Sequence, residues 1–279
     1  FIERAEEIAT LFGSFKNPDK ETVLTPWRVV NMQIAKGIGG LNFYDDNFES
    51  MTDGAKPNLH WVDTDVTESV YHPETKIIDI NAKTGLYPLH AAMSLYYQYV
   101  QNNDDNRFDA DSVYRGILEN NIYAIAKTPM AKTITERTLT GYKKYQTNVA
   151  YIENFSDTLK SSIEEGKKQV EEAFEKVKFD VVIGNPPYQE TGEARDEPMY
   201  HYFIDEAYKI ADKSILITPA RFLFKAGQTP KNWMEKMLED KHLKVQFYEL
   251  KSDKVFTGTD IKGGVAITYR DANKDLGPI

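Results

Sequence analysis

The sequence predicts an α/β fold in which helices cover both faces of a mostly parallel sheet. Two observations favour it: short apolar runs of strand length recur along the chain, and stretches with helical spacing of apolar residues separate them. With 279 residues the chain is long enough for one large domain of this kind and too short for two. We therefore expect a single domain over residues 1–279, made of a helical part (1–37), an insertion or lid (38–75) and a sheet core (76–279).

The composition is that of an ordinary globular protein, with 41% hydrophobic and 28% charged residues. No apolar stretch approaches the ~20 residues of a membrane span, and no signal peptide opens the chain. We therefore expect a cytoplasmic protein without a membrane partner. Because the chain starts at Phe1 and enters a helical pattern at once, we expect it to be excised from a longer protein.

Cysteine is absent and the five histidines show no paired ligand spacing, so we expect neither disulfides nor a metal site. The net charge of -9 has the wrong sign for a protein that grips phosphates over a wide surface. If this domain acts on DNA, most of the contacts with the phosphate backbone are expected from other parts of a longer protein.

The predicted elements alternate from the N-terminus onward. A helix covers 5–12, and a second helix starts with Pro26 in its first turn and Thr25 as its cap. Residues 38–72 are rich in Gly, Asn, Asp and aromatic residues without a sustained period, which indicates an insertion or lid. Strands are predicted at 76–80, 122–126, 147–155, 179–184 and 213–219, followed by a terminal pair at 245–250 and 264–269 whose second member is reversed. Further helices are predicted at 88–100, 157–178, 198–210 and 231–238.

The most informative stretch is Asn185-Pro186-Pro187-Tyr188, which follows the apolar strand at 179–184. The two prolines cannot donate to a strand ladder, so they fix where the strand ends. The Asn185 amide and the Tyr188 ring are thereby held at the carboxyl edge of the sheet, where open α/β folds bind ligands. The Asn185 side-chain oxygen and the Pro186 carbonyl are two fixed acceptors that suit an amino group, and the Tyr188 ring suits a flat heterocycle. The alternative is a strand-ending turn with a packed tyrosine.

Asn-Pro-Pro-Tyr after a strand that begins Phe-Asp resembles the catalytic motif of the DNA adenine-N6 methyltransferases. Residues 77–89 resemble the cofactor segment of type IIG or Eco57I-like restriction-modification enzymes, and residues 217–223 resemble the family's Ile-Thr-Pro segment. The resemblance implies a Rossmann-like S-adenosylmethionine-dependent methyltransferase fold, with a mostly parallel seven-stranded sheet and a reversed last strand.

The resemblance also implies an activity: methyl transfer from S-adenosyl-L-methionine to adenine N6 in DNA, within a restriction-modification system. It makes Asn185, Pro186, Pro187 and Tyr188 the catalytic residues, with Asn185 and the Pro186 carbonyl polarising the amine and Tyr188 stacking on the base. The implied partner is double-stranded DNA with a flipped adenine. Target-recognition domains, and nuclease or helicase domains, are expected in the flanks of this chain.

The cofactor-binding residues implied by the resemblance come from three segments. In the family, a Thr-Pro pair followed by a Val-Val-x-x-Met helix lines the methionine end, and Thr25, Pro26 and Val30 match that pattern. The loop after the first core strand contributes Asp79, Asn81 and Gly85. The third segment contributes one residue. Asn154 stands where the family has an acidic residue before Phe, and its side chain keeps a hydrogen-bonding group that can contact the cofactor's adenine amine.

Besides Asn154, two further positions depart from the family pattern. Lys83 replaces the middle glycine of the cofactor loop, and its side chain is expected to crowd a backbone that needs close approach. Ala126 stands where a carboxylate takes the ribose hydroxyls. These departures motivate an alternative function, a catalytically weakened methyltransferase-fold module that positions DNA or acts as a scaffold in a larger restriction enzyme.

Two other functions stay open at this point. Glu74-Thr75-Lys76 is an acidic-x-Lys pair of the kind found in nucleases. Such pairs are common by chance, and the non-functional interpretation is a surface charge pair before a strand. Methylation of a small-molecule or protein amine is the second, although Tyr188 favours a planar base.

Overall fold

The computed structural model describes residues 2–13, 24–103, 108–191 and 196–279. Within these ranges the α-helices are α1 (Ile2–Gly13), α2 (Trp27–Gly37), α3 (Thr67–Val70), α4 (Leu86–Asn102), α5 (Ala110–Asn120), α6 (Pro129–Thr140), α7 (Phe155–Ser161), α8 (Ile163–Ala173), α9 (Tyr200–Ile210) and α10 (Lys231–Glu239). The strands are β1 (Gly40–Asn42), β2 (Thr52–Asp53), β3 (Lys56–Pro57), β4 (His60–Val62), β5 (Ile77–Ala82), β6 (Ile122–Ala126), β7 (Asn148–Tyr151), β8 (Phe179–Gly184), β9 (Gln189–Glu190), β10 (Glu197–Pro198), β11 (Ala211–Pro219), β12 (Leu243–Glu249) and β13 (Val265–Asp271). Short 3-10 helices cover Ala220–Phe224 and Ser252–Lys254.

Seven strands form one sheet in the spatial order β12, β13, β11, β8, β5, β6, β7. The five strands from β11 to β7 are parallel to their neighbours, whereas β13 is antiparallel to both β11 and β12. This arrangement confirms the predicted Rossmann-like methyltransferase fold with a mostly parallel seven-stranded sheet and a reversed last strand. The chain order reverses between β5 and β8, which makes their carboxyl ends the switch point where α/β sheets bind ligands.

Both faces of the sheet are covered, which explains the continuous apolar runs in the parallel strands. Side chains alternate along β5, so Ile77 joins one apolar cluster while Ile78 joins the other. The first cluster contains buried residues of α2, α4, α5 and α6, and the second contains those of α7 to α10. The sheet is therefore the middle of three layers.

Local sequence signals set the start and the end of several helices. Thr128 Oγ1 accepts from the Ala131 N–H at 3.0 Å, and Pro129 is the first residue of α6. Ser162 is extended and its hydroxyl accepts from the Glu165 N–H at 3.3 Å. The single helix predicted over 157–178 is therefore wrong, because Ser162 ends α7 and caps α8.

Other elements differ from prediction in extent. The third core strand, predicted over 147–155, covers only Asn148–Tyr151. Helices α5 and α6, which link the first three core strands, were not predicted. The segment 38–75 holds an antiparallel pair (β1 with β4), a two-stranded hairpin (β2 with β3) and α3, and its residues Phe43 and Tyr71 are fully buried in the core. Its role as an insertion or lid, and the single domain over 1–279, stay predictions.

No helix within the described ranges has the length and the apolar character that a membrane crossing needs. The same ranges contain no group of three or more His, Asp or Glu side chains placed to hold a metal ion.

Candidate functional site

The candidate site lies at the carboxyl ends of β5 and β8, where the strand order reverses. These strands are parallel neighbours, and Asp79 of β5 pairs with Ile183 of β8. Gly184 ends β8 with a φ of 141°, and a Cβ at this position would lie 2.7 Å from Oδ1 of Asp79. The glycine therefore lets the chain that continues into Asn185 pass close to the Asp79 carboxyl group.

Asn185 is 2% exposed and is held by three side chains. Its Nδ2 donates to Oγ1 of Thr25 at 3.0 Å. Its backbone carbonyl accepts from Nδ2 of Asn81 at 2.9 Å and from Nζ of Lys83 at 3.3 Å. The remaining polar atom of the side chain, Oδ1, is buried and has no hydrogen-bond partner in the described part of the chain. The site therefore presents one fixed, unpaired acceptor.

Thr25 does not cap α2, so that part of the prediction is wrong. The helix begins at Trp27 with Pro26 at the N-cap position, and no side chain caps it. The Pro26 carbonyl accepts from the N–H groups of Val29 and Val30. The Thr25 hydroxyl is thereby available to Asn185, which turns a predicted helix signal into a contact within the site.

Behind Asn185, a buried glutamine and a tyrosine hold the strand ends. Gln33 of α2 is fully buried, and its Nε2 donates to the carbonyls of Gly184 at 2.9 Å and Ile215 at 3.0 Å. Its Oε1 accepts from the hydroxyl of Tyr87 of α4. Sequence reasoning missed both residues, although a glutamine among the apolar residues of a buried helix is a signal of an internal hydrogen-bond network.

The Asp79 carboxyl group is 2% exposed, and this burial raises its pKa to about 7. The Asn81 N–H, which donates to Oδ1 at 2.9 Å, and the Lys83 ammonium both oppose the rise. A carboxyl group with this pKa changes charge near neutral pH. A cationic ligand group placed beside it would favour the ionised form, so Asp79 is suited to receive an ammonium.

The comparisons with known proteins agree with this geometry. Residues 120–256 match the sequence profile of the Eco57I restriction-modification methylases. This segment, just under half of the chain, is similar to that family. It includes β8 and the whole of Asn185-Pro186-Pro187-Tyr188, so the recognised motif lies inside the matched segment. No curated protein matches the chain in sequence.

Solved structures of restriction-modification proteins share the fold of this chain. One is a nuclease-deletion mutant of the type ISP enzyme LlaGI in complex with a DNA substrate mimic, with a TM-score of 0.62, 14% identity and coverage of 99% of this chain and 25% of that chain. A second is a modification subunit of a putative type I restriction enzyme from Vibrio vulnificus YJ016, with a TM-score of 0.53, 14% identity and coverage of 98% and 50%. The chain thus spans a quarter of LlaGI, and at these identities the likeness concerns the fold.

The prolines and the tyrosine of the methylase motif are buried. Tyr188 is 8% exposed, and its ring packs edge-on against that of Phe256, with 6.4 Å between the two ring centroids. Burial raises the pKa of Tyr188, and the nearby Asn185 side chain offsets part of the rise. The Tyr188 hydroxyl and the Asn185 Oδ1 are both buried, and neither has a hydrogen-bond partner among the described residues. The motif therefore holds two buried polar atoms that a ligand can pair with.

The structure explains why residue 85 is a glycine, which the sequence alone did not reveal. It precedes α4 with φ 80° and ψ 14°, and a Cβ on it would lie 2.9 Å from the Cα of Thr135 in α6. Close packing of α6 on the loop after β5 therefore requires glycine here. Its role in cofactor binding stays a prediction.

The adenosine-binding positions predicted from the family pattern lie further along the sheet. Ala126 ends β6 and is 2% exposed, so the position expected to hold a carboxylate is apolar and buried. Asn154 follows β7, the outermost strand, and is exposed with a φ of 56°. The structure thus joins Thr25, Asn81 and Asn185 by direct contacts, whereas Asn154 lies beyond two intervening strands.

The Glu74-x-Lys76 pair lies at the opposite edge of the sheet. Lys76 precedes β5, and its N–H donates to Oδ2 of Asp180 at 2.8 Å. Glu74, Lys76 and Asp180 line a cavity of about 890 Å³. This cavity is at the amino ends of the strands, away from the methylase motif, and its acidic residues do not form a metal site within the described ranges.

Proposed function

We propose that the chain is the catalytic domain of a DNA methyltransferase that transfers a methyl group to adenine N6, within a restriction-modification system. The supporting observation is the buried Oδ1 of Asn185, which has no partner among the described residues while its Nδ2 is occupied by Thr25. A buried acceptor without a partner costs about 1–3 kcal/mol, which a ligand N–H would recover. The exocyclic amine of adenine supplies such an N–H.

The chemistry assigned to the chain is polarisation and positioning. Asn185 Oδ1 and the Pro186 carbonyl accept from the amine, and these hydrogen bonds strengthen as the nitrogen becomes cationic. When bound, the donor would supply the methyl group, which the amine nitrogen would receive as the carbon–sulfur bond of the donor breaks, and the amine proton would then pass to solvent. Holding the amine in line accounts for most of the expected rate enhancement.

Tyr188 is assigned to stacking on an adenine that has been extruded from the duplex, with Pro186 and Pro187 fixing its position. Its ring is 8% exposed, so a face must be uncovered when the base enters. Because Phe256 contacts the ring edge-on, movement of the segment around Phe256 is the simplest way to open that face.

The methyl donor proposed for this site is S-adenosyl-L-methionine, which supplies the methyl group when bound. Its ammonium suits the buried Asp79 carboxyl, with Thr25, Pro26 and Asn81 alongside and Gly85 shaping the loop. The adenosine end of the donor has fewer suitable binding groups, because Ala126 is apolar and Asn154 is exposed. The residues present therefore suit the methionine end better than the adenosine end.

That imbalance supports a second candidate function, a catalytically weakened module that positions DNA or serves as a scaffold in a larger restriction enzyme. Under this alternative the fold and the Asn185 contacts persist, but the donor binds weakly because the ribose carboxylate is missing at Ala126. The two candidates differ in donor affinity.

The proposed partner is double-stranded DNA with a flipped adenine, in the cytoplasm. The net charge of -9 favours a division of labour in which target-recognition domains, with nuclease or helicase domains, lie in a longer protein and provide most of the DNA grip.

The test uses the full-length protein, S-adenosylmethionine and DNA that lacks N6-methyladenine, with the methylated base quantified by mass spectrometry. Wild type is expected to form N6-methyladenine, Asn185→Ala to form none, and the exposed Asn47→Ala to match wild type. Calorimetric titration with S-adenosylmethionine is run beside it. Micromolar donor affinity contradicts the scaffold alternative, whereas retained methylation by Asn185→Ala contradicts the proposed function.

A further inference from the structure

The backbone carbonyl of Asn185 is held by two side-chain donors that lie two residues apart at the end of β5. Asn81, within β5, contributes Nδ2 at 2.9 Å, and Lys83, which directly follows the strand, contributes Nζ at 3.3 Å. The contacts link residues that are 104 and 102 positions apart in the sequence. Both donors come from the segment that the family resemblance assigns to the cofactor, and both reach the segment assigned to catalysis.

The Lys83 contact has an ammonium as its donor, a class of hydrogen bond that is about twice as strong as a neutral one. At 3.3 Å it is longer than the Asn81 contact, and Lys83 is half-buried. The neighbouring Asp79 carboxyl is fully enclosed, and the Lys83 ammonium favours its ionised form. Lys83 thus acts on both the carbonyl of Asn185 and the carboxyl group beside it.

The position of this carbonyl determines where the Asn185 amide points. Asn185 lies between Gly184, whose φ of 141° few other residues adopt, and Pro186, whose ring fixes its own φ. Glycine is conformationally permissive and the residue before a proline is restricted, so Gly184 is the adjustable link in the segment, and rotation there would move Asn185 and its Oδ1. Thr25 holds the far end of the side chain, but Asn81 and Lys83 hold the backbone from which it extends.

The sequence led us to expect Lys83 as an obstruction, a bulky residue where the family has glycine. In the structure the side chain extends across to β8 and makes a contact that glycine could not provide. We propose that Lys83 is a positioning residue: with Asn81 it clamps the Asn185 carbonyl and so couples the loop after β5 to the amine-accepting amide. This inference rests on the proposed function, because Asn185 needs exact orientation only if it accepts the amine of a substrate.

The clamp has a consequence for ligand binding. A ligand that enters the loop after β5 and displaces or orders Lys83 also shifts or orders the Asn185 peptide. Donor binding and base acceptance are then coupled, and by linkage the coupling acts equally in both directions. Removing Lys83 is expected to weaken this coupling while leaving both sites in place.

The experiment compares full-length wild type with Lys83→Met, which keeps the length and loses the charge, and with Lys83→Arg, which keeps the charge. Lys132→Met in α6, at a lysine that is likewise half-buried, is the matched control for the same change. Two measurements are made: the single-turnover rate of N6-methyladenine formation at saturating donor, and hydrogen–deuterium exchange of peptides covering 179–191. Peptides from α10 serve as the internal reference for exchange.

Lys83→Met is expected to lower the single-turnover rate by about 10- to 100-fold, the effect of a small misplacement of a reacting group. It is also expected to speed exchange of the 179–191 peptides by about tenfold, with α10 unchanged, because the segment opens locally. Lys83→Arg should recover most of both effects, and Lys132→Met should show neither. Donor affinity is measured as well, because the Lys83 ammonium also favours the ionised form of Asp79, and the rate at saturating donor is read separately from that effect.

Wild-type rate and wild-type exchange in Lys83→Met would overturn the clamp. A loss confined to donor affinity, with the rate at saturation and the exchange unchanged, would also overturn it and make Lys83 a donor-binding residue. If wild type itself forms no N6-methyladenine, the proposed function fails, while the exchange measurement still decides whether Lys83 holds the Asn185 segment.

Discussion

The side-chain amide of Asn185 donates to the hydroxyl of Thr25 at 3.0 Å, across 160 positions of sequence. Both residues are buried, with exposed fractions of 2% and 8%. The bond uses the nitrogen of the amide and leaves its oxygen as the unpaired acceptor. Thr25 thereby decides which end of the amide is offered to a ligand.

Replacing Thr25 by valine should lower methyl transfer strongly with little effect on the fold. Valine keeps the shape but removes the hydroxyl, so Nδ2 loses a partner worth about 1–3 kcal/mol and the amide is free to turn over. We expect a rate loss of about 10- to 100-fold, measured as single-turnover formation of N6-methyladenine. Thr25→Ser keeps the hydroxyl and should retain most activity; equal losses in both variants would contradict this role.

Replacing Tyr87 by phenylalanine should destabilise the protein through Gln33. The change leaves Oε1 of Gln33 without its donor in a fully buried position, which costs about 1–3 kcal/mol. The measurement is the free energy of unfolding in urea. Tyr142→Phe, at a tyrosine that is 77% exposed, is the matched control and should be neutral; a neutral Tyr87→Phe would show that the Gln33 network adds no stability.

The catalytic motif was predictable because its signals are local. The apolar run at 179–184 specifies a buried strand, and the two prolines that follow specify its end, so the place of Asn185 at the sheet edge follows from adjacent residues. The strand alternation and the reversed last strand were predictable for the same reason. The predicted order of elements agrees with the sheet that forms.

The contacts that shape the site were not predictable, because each depends on which strands become neighbours. From the sequence, the Thr25 hydroxyl was interpreted as a helix cap, whereas in the structure it contacts Asn185 at the end of β8. Lys83 was interpreted as an obstruction, whereas its ammonium contacts the Asn185 carbonyl. The break at Ser162 was missed for a different reason: Ser162 and Glu165 form a Ser-x-x-Glu start signal for α8, but it lies within a charged stretch that was interpreted as one helix.

Replacing Gly184 by alanine should be one of the most damaging single changes in the sheet. The new Cβ would lie 2.7 Å from Oδ1 of Asp79, and φ of 141° is unfavourable for alanine. We expect a loss of about 1–3 kcal/mol in unfolding free energy from the strained backbone, and more from the clash. Gly116→Ala in α5, where nothing lies within 4 Å of the new Cβ, should instead stabilise by about 0.5–1 kcal/mol. A harmless Gly184→Ala would show that β8 can shift away from Asp79.

The buried carboxyl group of Glu206 should make the protein less stable at alkaline pH. Glu206 is fully buried in α9, neither oxygen has a partner among the described residues, and burial raises its pKa to about 8. The unfolded chain ionises from about pH 4.5 upward while the folded protein holds the proton, so stability falls between about pH 4.5 and about pH 8 and then levels off. Glu206→Gln should remove this part of the pH dependence.

The measurement is the melting temperature of wild type and Glu206→Gln across that range. The two proteins should differ most at about pH 8, with the variant more stable, and least at about pH 4.5. His90 and His201 contribute in the opposite direction, because burial lowers the pKa of each to about 4 and stability is lost as pH falls below about 6.5. They are present in both proteins and so cancel in the comparison; a constant difference at all pH values would contradict the assignment to Glu206.

Asp79 should make donor binding depend on pH near neutrality. Burial raises its pKa to about 7, so the carboxylate that would receive the donor's ammonium is largely protonated at about pH 6 and largely ionised at about pH 8. Affinity for S-adenosylmethionine should therefore rise by about tenfold between about pH 6 and about pH 7.5, before the donor's own amino group loses its proton. Calorimetric titration of wild type and Asp79→Asn across this interval separates the ionisation of Asp79 from that of other groups in the site. The variant should bind weakly with a flat profile over the same interval, because its amide cannot change charge; the same rise in both proteins would place the titrating group elsewhere in the site.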